Sequence, residues 1–434
     1  MVFLLKKLFN KNMKIFNFNL LHKMLKFLNK FILLLIFILC SKNMSGQKND
    51  NYSIVVEGSS GYVLLPKTLA KDYSYGFSAE LEWQTTGKHA WEHYLNFPSI
   101  GTGFRFMTLG NHEMLGNLFA VYPYLRFPLL RSQLIKVDMQ TGAGLAFVTK
   151  RYSNTPHIDD DPNKIVAGMN GVIGTLVNAY FTVGFGAEVP IKNGWSIRAN
   201  INGNHASNGN MGLPNNGVNI ANALVGLKFS PNWEKNFRPK SIEKIPDLPR
   251  KIQYEITLSG GMVNLHYTTG KMYPMGSLAF AAYKPLSNWY SMGFGADVFY
   301  DGIYSFVNYP WKPYQNVRAA IRENDLKNLF RVGISWQHQI LIGRFTAGLH
   351  AGVYFYDNIK NHQPYIDVFY RYQNGEGDLH RPIFYNYKVS YQDGWCYGRA
   401  IGKYRFSKHW LVSVGVKSHL LRADFIEWGL GYHF

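Results

Sequence analysis

The sequence predicts an all-β chain closed into an antiparallel transmembrane β-barrel of about 14 to 16 strands, and three observations carry that expectation. The first is alternation. In 177–189, Val177, Ala179, Phe181, Val183, Phe185, Ala187 and Val189 share one face, while Asn178, Tyr180, Thr182, Gly184, Gly186 and Glu188 share the other. A period of two is the mark of a strand, and here one face suits lipid and the other a polar lumen. The second is the rhythm of the connections. Long polar stretches and tight turns follow one another along the chain, as in outer-membrane barrels, whose long loops lie outside the cell. The third is composition. Aromatic residues make up 16% and charged residues 17% of the chain, and beyond the first 46 residues no apolar run is long enough for a transmembrane helix. A closed barrel is then the remaining way across a bilayer.

Residues 1–46 contain eight Lys and no Asp or Glu, with an apolar run from Phe31 to Cys40. A basic segment followed by ten apolar residues is too short to span and is expected to be a cleaved signal peptide. Its removal leaves Cys396 as the one cysteine, so no intrachain disulfide is expected in the mature chain. It also leaves 38 of the 46 Lys and Arg against 27 Asp and Glu, a net charge of +11. No basic block, helix motif or zinc pattern directs that charge to nucleic acid. For an exported chain, anionic lipid or lipopolysaccharide phosphate is the better match.

Residues 53–65 are either a first strand or a segment tucked inside the barrel. Strand candidates then run over 76–86, 100–109, 116–127 and 133–149. A long polar connection, 149–174, precedes the strand at 177–189, and 190–194 forms a tight turn into 195–207. In that next strand Trp195, Ile197, Ala199, Ile201, Gly203, His205 and Ser207 fall on one face. After the loop HASNGNMGLPNNGVN (205–219), Asn219, Ala221, Ala223, Val225, Leu227 and Phe229 continue the apolar face. Residues 231–250, rich in proline and charge, read as a periplasmic connection between two halves, 47–230 and 251–434. The second half repeats the rhythm: turns at 285–288, 341–343 and 407–409 alternate with long connections at 301–326 and 357–394. The last segment alternates up to Phe434, as outer-membrane barrels do at their final strand. One barrel is expected in preference to two small ones side by side. Trp195 and Trp428 are expected in the interfacial girdle.

The chemistry of the chain concentrates at His205, Ser207 and Asn219. Residues two apart on a strand point the same way, so the His205 imidazole can reach the Ser207 hydroxyl and take its proton as it attacks an ester. Asn208, or backbone N–H groups of the glycine-containing loop after it, would receive the oxyanion. Elsewhere Asp159, Asp160 and Asp161 lack the spaced ligands and closing Glu of a calcium loop, so no metal or cofactor is expected. Ser418 and His419, followed by Asp424 and Glu427, echo the motif, but parity with Trp410, Val412, Val414 and Val416 turns Lys417 and His419 inward. The same parity argument puts Glu188 in the lumen.

The run His205, Ser207, Asn208, Pro214, Asn215 and Gly217 resembles the active-site segment of the lipid A 3-O-deacylase (PagL) and acyloxyacyl hydrolase family. The resemblance covers 76–230 in pattern and is sharp over 205–219. It implies an outer-membrane serine esterase that removes an ester-linked acyl chain from lipid A, with Ser207 as nucleophile, His205 as base and Asn219 where the family carries a glutamate. The alternative is a non-catalytic outer-membrane barrel, porin-like or structural, which the additional strands of the second half suggest.

Overall fold

The computed structural model describes residues 51–65, 69–152, 170–232, 247, 249–264, 272–305, 326–357, 384, 394–420 and 422–434. The leader, Asp159 to Asp161 and most of 231–250 lie outside these residues. Strands β1 (Tyr52–Val63), β2 (Ser74–Gln84), β3 (Ser99–Thr108), β4 (Asn117–Arg131), β5 (Lys136–Val148), β6 (Val177–Lys192), β7 (Trp195–Ser207) and β8 (Val218–Phe229) form one closed antiparallel barrel. Strands β9 (Gln253–Asn264), β10 (Met272–Pro285), β11 (Tyr290–Asp301), β12 (Phe330–Ile342), β13 (Phe345–Asp357), β14 (Cys396–Arg405), β15 (Trp410–His419) and β16 (Arg422–His433) form a second.

The sixteen strands meet the expected number, but the single closure is corrected to two. Strand β8 returns to β1, from Ile54 opposite Phe229 to Val63 opposite Ile220. Strand β16 likewise returns to β9, from Trp428 opposite Gly260 to His433 opposite Glu255. Residues 53–65 are therefore a strand that closes a barrel rather than a buried plug. Closure at eight follows from what points inward, because an eight-stranded barrel has an interior just wide enough for side chains to fill.

The first lumen holds a dense ion-pair network. Arg198 donates to both Asp138 oxygens at 2.9 and 2.6 Å, Arg126 reaches Glu80 at 2.6 Å and also Glu82, and Lys228 joins Glu82 and Glu188 at 2.7 and 3.1 Å. Toward the end that carries the longer connections, an apolar layer closes over it, formed by Leu109, Leu115, Leu118, Tyr122, Ile173 and Val218 among others. The second lumen is filled in the same way. There Arg399 pairs with Asp297 at 2.9 Å and Glu427 at 2.7 Å, and Lys403 with Glu255 at 2.5 Å.

The outer walls are the reverse. Ile201 is 64% exposed while Arg198 is fully buried, and Val183, Phe185, Trp195, Val225, Leu258, Phe294 and Trp428 all face outward. Polar inside and apolar outside is the arrangement of a barrel solvated by lipid. Among the described residues no helix is long and apolar enough to cross a membrane.

The ends of β1, β3, β5 and β7 and the starts of β2, β4, β6 and β8 lie at one end of the first barrel, the end of 109–116 and 208–217. Between β6 and β7 the other end has a two-residue turn, Asn193 and Gly194, both with positive φ, the conformation that tight hairpins need. The loop rule has a second exception besides 231–250: connection 85–98, carrying the short helix α1 (Ala90–Tyr94), sits at the tight-turn end.

Candidate active site

Hairpin β7–β8 places His205 directly opposite Asn219, and β6 places Phe181 opposite His205 and Ala179 opposite Ser207. Alternation turns all of these to the outer wall, while Ala206, Val218 and Ile220 between them pack inward on the apolar layer. The polar groups of the site are thus backed by a packed core. One step further in, the Asn204 side chain ties the three strands together. Its Oδ1 accepts from Arg105 at 2.6 Å, Tyr180 at 2.7 Å and Thr182 at 2.9 Å, and its Nδ2 donates to Asn222 at 2.8 Å.

On the outer wall His205 Nε2 lies 2.9 Å from Ser207 Oγ, and His205 Nδ1 lies 2.7 Å from Asn219 Oδ1. An amide oxygen can only accept, so the proton sits on Nδ1 and the lone pair of Nε2 faces the serine hydroxyl. That tautomer is the one a general base requires. Gly217, with φ of +71°, closes the other side: a Cβ there would lie 2.8 Å from His205 Cε1. The imidazole is therefore held in its plane by a backbone that cannot carry a side chain.

The loop after Ser207 is built from asparagines. The Asn208 amide donates to Asn215 Oδ1 at 2.9 Å, and its side chain donates to Thr175 Oγ1 at 3.0 Å and Gly212 O at 2.8 Å. Asn208 is buried, and both of its side-chain hydrogens are already directed at protein acceptors. Gly209 and Asn210 follow in left-handed conformations, φ +58° and +64°. Their amides donate to no acceptor among the described residues.

His205, Ser207 and Asn219 are thus brought together, and Asn208 stands beside them, turned into the loop. Thr175, which anchors Asn208 from the connection before β6, had no sequence signal, because its partner lies in a different hairpin. The echo in β15 does not assemble. His419 is buried inside the second lumen, 2.7 Å from Asp424 and 3.2 Å from Tyr354 Oη. Ser418 instead reaches Gly398 O at 3.5 Å, and Glu427 is paired with Arg399. Glu188 faces the first lumen, as parity required. Among the described residues no three His, Cys, Asp or Glu side chains gather as a metal ion would need.

Residues 75–228 match the family model of lipid A 3-O-deacylase (PagL). Residues 252–374 and 382–434 match that of the acyloxyacyl hydrolase C-terminal domain. No curated protein matches the chain. Among solved structures, it is similar to the crystal structure of the outer membrane enzyme PagL at 16% identity, over 40% of this chain and 98% of that one, with a TM-score of 0.26. It is also similar to that of Neisserial surface protein A at 8% identity, over 42% and 97%, with a TM-score of 0.28. BamA from Haemophilus ducreyi lacking POTRA domains 1-3 is similar at 11% identity, over 88% and 70%, with a TM-score of 0.19.

Proposed function

The chain belongs to the lipid A 3-O-deacylase (PagL) and acyloxyacyl hydrolase family, and from that premise we propose that it deacylates lipid A through Ser207 as nucleophile, His205 as general base and Asn219 as the group that orients the imidazole. It is an outer-membrane barrel protein and an ester hydrolase acting on lipid A. The observation that carries the residue assignment is the 2.9 Å approach of His205 Nε2 to Ser207 Oγ on the outer wall.

Ser207 Oγ attacks the ester carbonyl as its proton passes to His205 Nε2. The tetrahedral intermediate collapses, the sugar-side or hydroxyacyl oxygen leaves, and His205 returns the proton to it. Water, activated by the same imidazole, then releases the fatty acid from Ser207. The oxyanion is received by the amides of Gly209 and Asn210 rather than by Asn208, whose donors hold the loop together. The outward position of the serine suits its substrate, because an acyl chain lying along the barrel wall in the outer leaflet of lipopolysaccharide meets the nucleophile without leaving the membrane.

Acyl release from purified lipid A in matched detergent tests this reading. The wild-type chain is expected to release fatty acid, and Ser207→Ala to lose at least about 10³-fold in rate. Release that survives in Ser207→Ala would reject the nucleophile.

A further inference from the structure

The loop that follows Ser207 touches the second barrel, and we propose that the second barrel is its positioning partner, with Asn210 as the residue that joins them. This rests on the reading of Ser207 as nucleophile. The Asn210 side chain donates to Ala423 O at 2.6 Å and Asp424 O at 3.2 Å, both at the start of β16. The backbone amide of Asn264, at the end of β9, donates to Asn210 O at 2.7 Å. Ile426 of β16 packs so closely on Gly209 that a Cβ there would lie 2.4 Å from Ile426 Cγ1.

The contact extends in both directions. On the active-site side, Asn210 Oδ1 accepts from Asn215 Nδ2 at 3.3 Å, and Asn215 Oδ1 holds the amide of Asn208, the residue after Ser207. On the other side, the Asp424 carboxylate is held inside the second lumen by Lys417 and by His419 at 2.7 Å. The β15 cluster that resembles a second site thus has a mechanical role: it fixes the hairpin whose carbonyls receive Asn210. Position 210 needs a residue that accepts a left-handed backbone and carries both a donor and an acceptor, and asparagine meets all three needs. The amides of Gly209 and Asn210, assigned above to the oxyanion, are the ones this contact aims. The second barrel therefore completes a site whose reacting side chains all belong to the first.

Two full-length variants test the proposal. Asn210→Asp keeps the size of the side chain and an acceptor for Asn215 but loses the donor to β16; Ile426→Ala removes the packing on Gly209 from the other barrel. Phe294→Ala, on the outer wall of β11, is the control. Barrel integrity is read from heat-modifiable gel mobility, loop order from amide hydrogen exchange over 208–217, and kinetics from acyl release. Both test variants are expected to lose exchange protection in the loop and to fall about tenfold in kcat with KM within about twofold, since small misplacement of reacting groups costs one to two decades. Combined, they are expected to lose little more than the worse single variant, because both break one contact. Unchanged loop protection overturns the proposal. So does lost protection with unchanged kcat, or a raised KM at constant kcat, which would make the second barrel a substrate contact instead. If the wild-type chain releases no acyl group, the deacylase reading fails, and the exchange measurement alone still decides whether the second barrel holds the loop.

Discussion

Asn219 stands where the resemblance to the lipid A 3-O-deacylase family implies a glutamate. Its Oδ1 holds the Nδ1 proton of His205, so it selects the tautomer, but an amide has no charge to set against the imidazolium that forms when the serine proton arrives. Asn219→Glu is expected to raise kcat about fivefold, the effect of a partly exposed ion pair of about 1 kcal/mol. Asn219→Ala should lower kcat, and acyl-release kinetics on the three forms side by side would show the order. Gly217 makes a second residue-scale test. An added methyl meets the imidazole at 2.8 Å in a backbone with φ of +71°, so Gly217→Ala is expected to cost roughly 1 kcal/mol in stability and to push His205 off Ser207. A folded barrel with unaltered kcat would contradict that geometry.

At the scale of the element, hairpin β7–β8 works because its two faces do different things. Outward it presents the reacting groups, and inward it is pinned by Asn204 and the apolar layer. Asn204→Ala would leave the Arg105 guanidinium and the Tyr180 and Thr182 hydroxyls without their shared acceptor. Arg105 keeps its ion pair with Glu80, so a loss of about 2 kcal/mol is expected, from buried donors that lose their best acceptor. Urea titration of refolding in detergent micelles would measure it, and a midpoint equal to wild type would show that the network does not hold the hairpin. The division of faces was legible in the residues themselves. Odd positions from Trp195 to Gly203 carry no polar side chain and even ones from Ser196 to Asn204 are polar, and a period of two then carries His205 and Ser207 onto the outward face. Tyr180 and Thr182 lie on β6, the strand joined to β7 by a tight turn, but Arg105 comes from β3, across the lumen, and no local pattern pairs it with Asn204.

At the scale of the whole molecule, the two filled lumens argue against an open channel. Arg198, Arg126 and Lys228 with their carboxylates occupy one interior, and Arg399 and Lys403 with theirs occupy the other. Purified protein in planar bilayers is therefore expected to show no stepwise conductance, and discrete channel openings would return the porin-like reading to favour. The sequence by itself determined the strands, the inward and outward faces, the position of His205, Ser207 and Asn219 on the outer wall, and the placing of Lys417 and His419 inside. These follow from a side-chain period of two, which is local and needs no knowledge of the partner strand. Only the tertiary structure decided that there are two closures, that Asn208 turns into the loop, and that Asn210 reaches across to Ala423 and Asp424. Alternation reads the same in one barrel of sixteen strands as in two of eight. The difference lies in which distant edge β8 meets, and hydrogen bonds between β1 and β8 leave no mark on the local sequence of either.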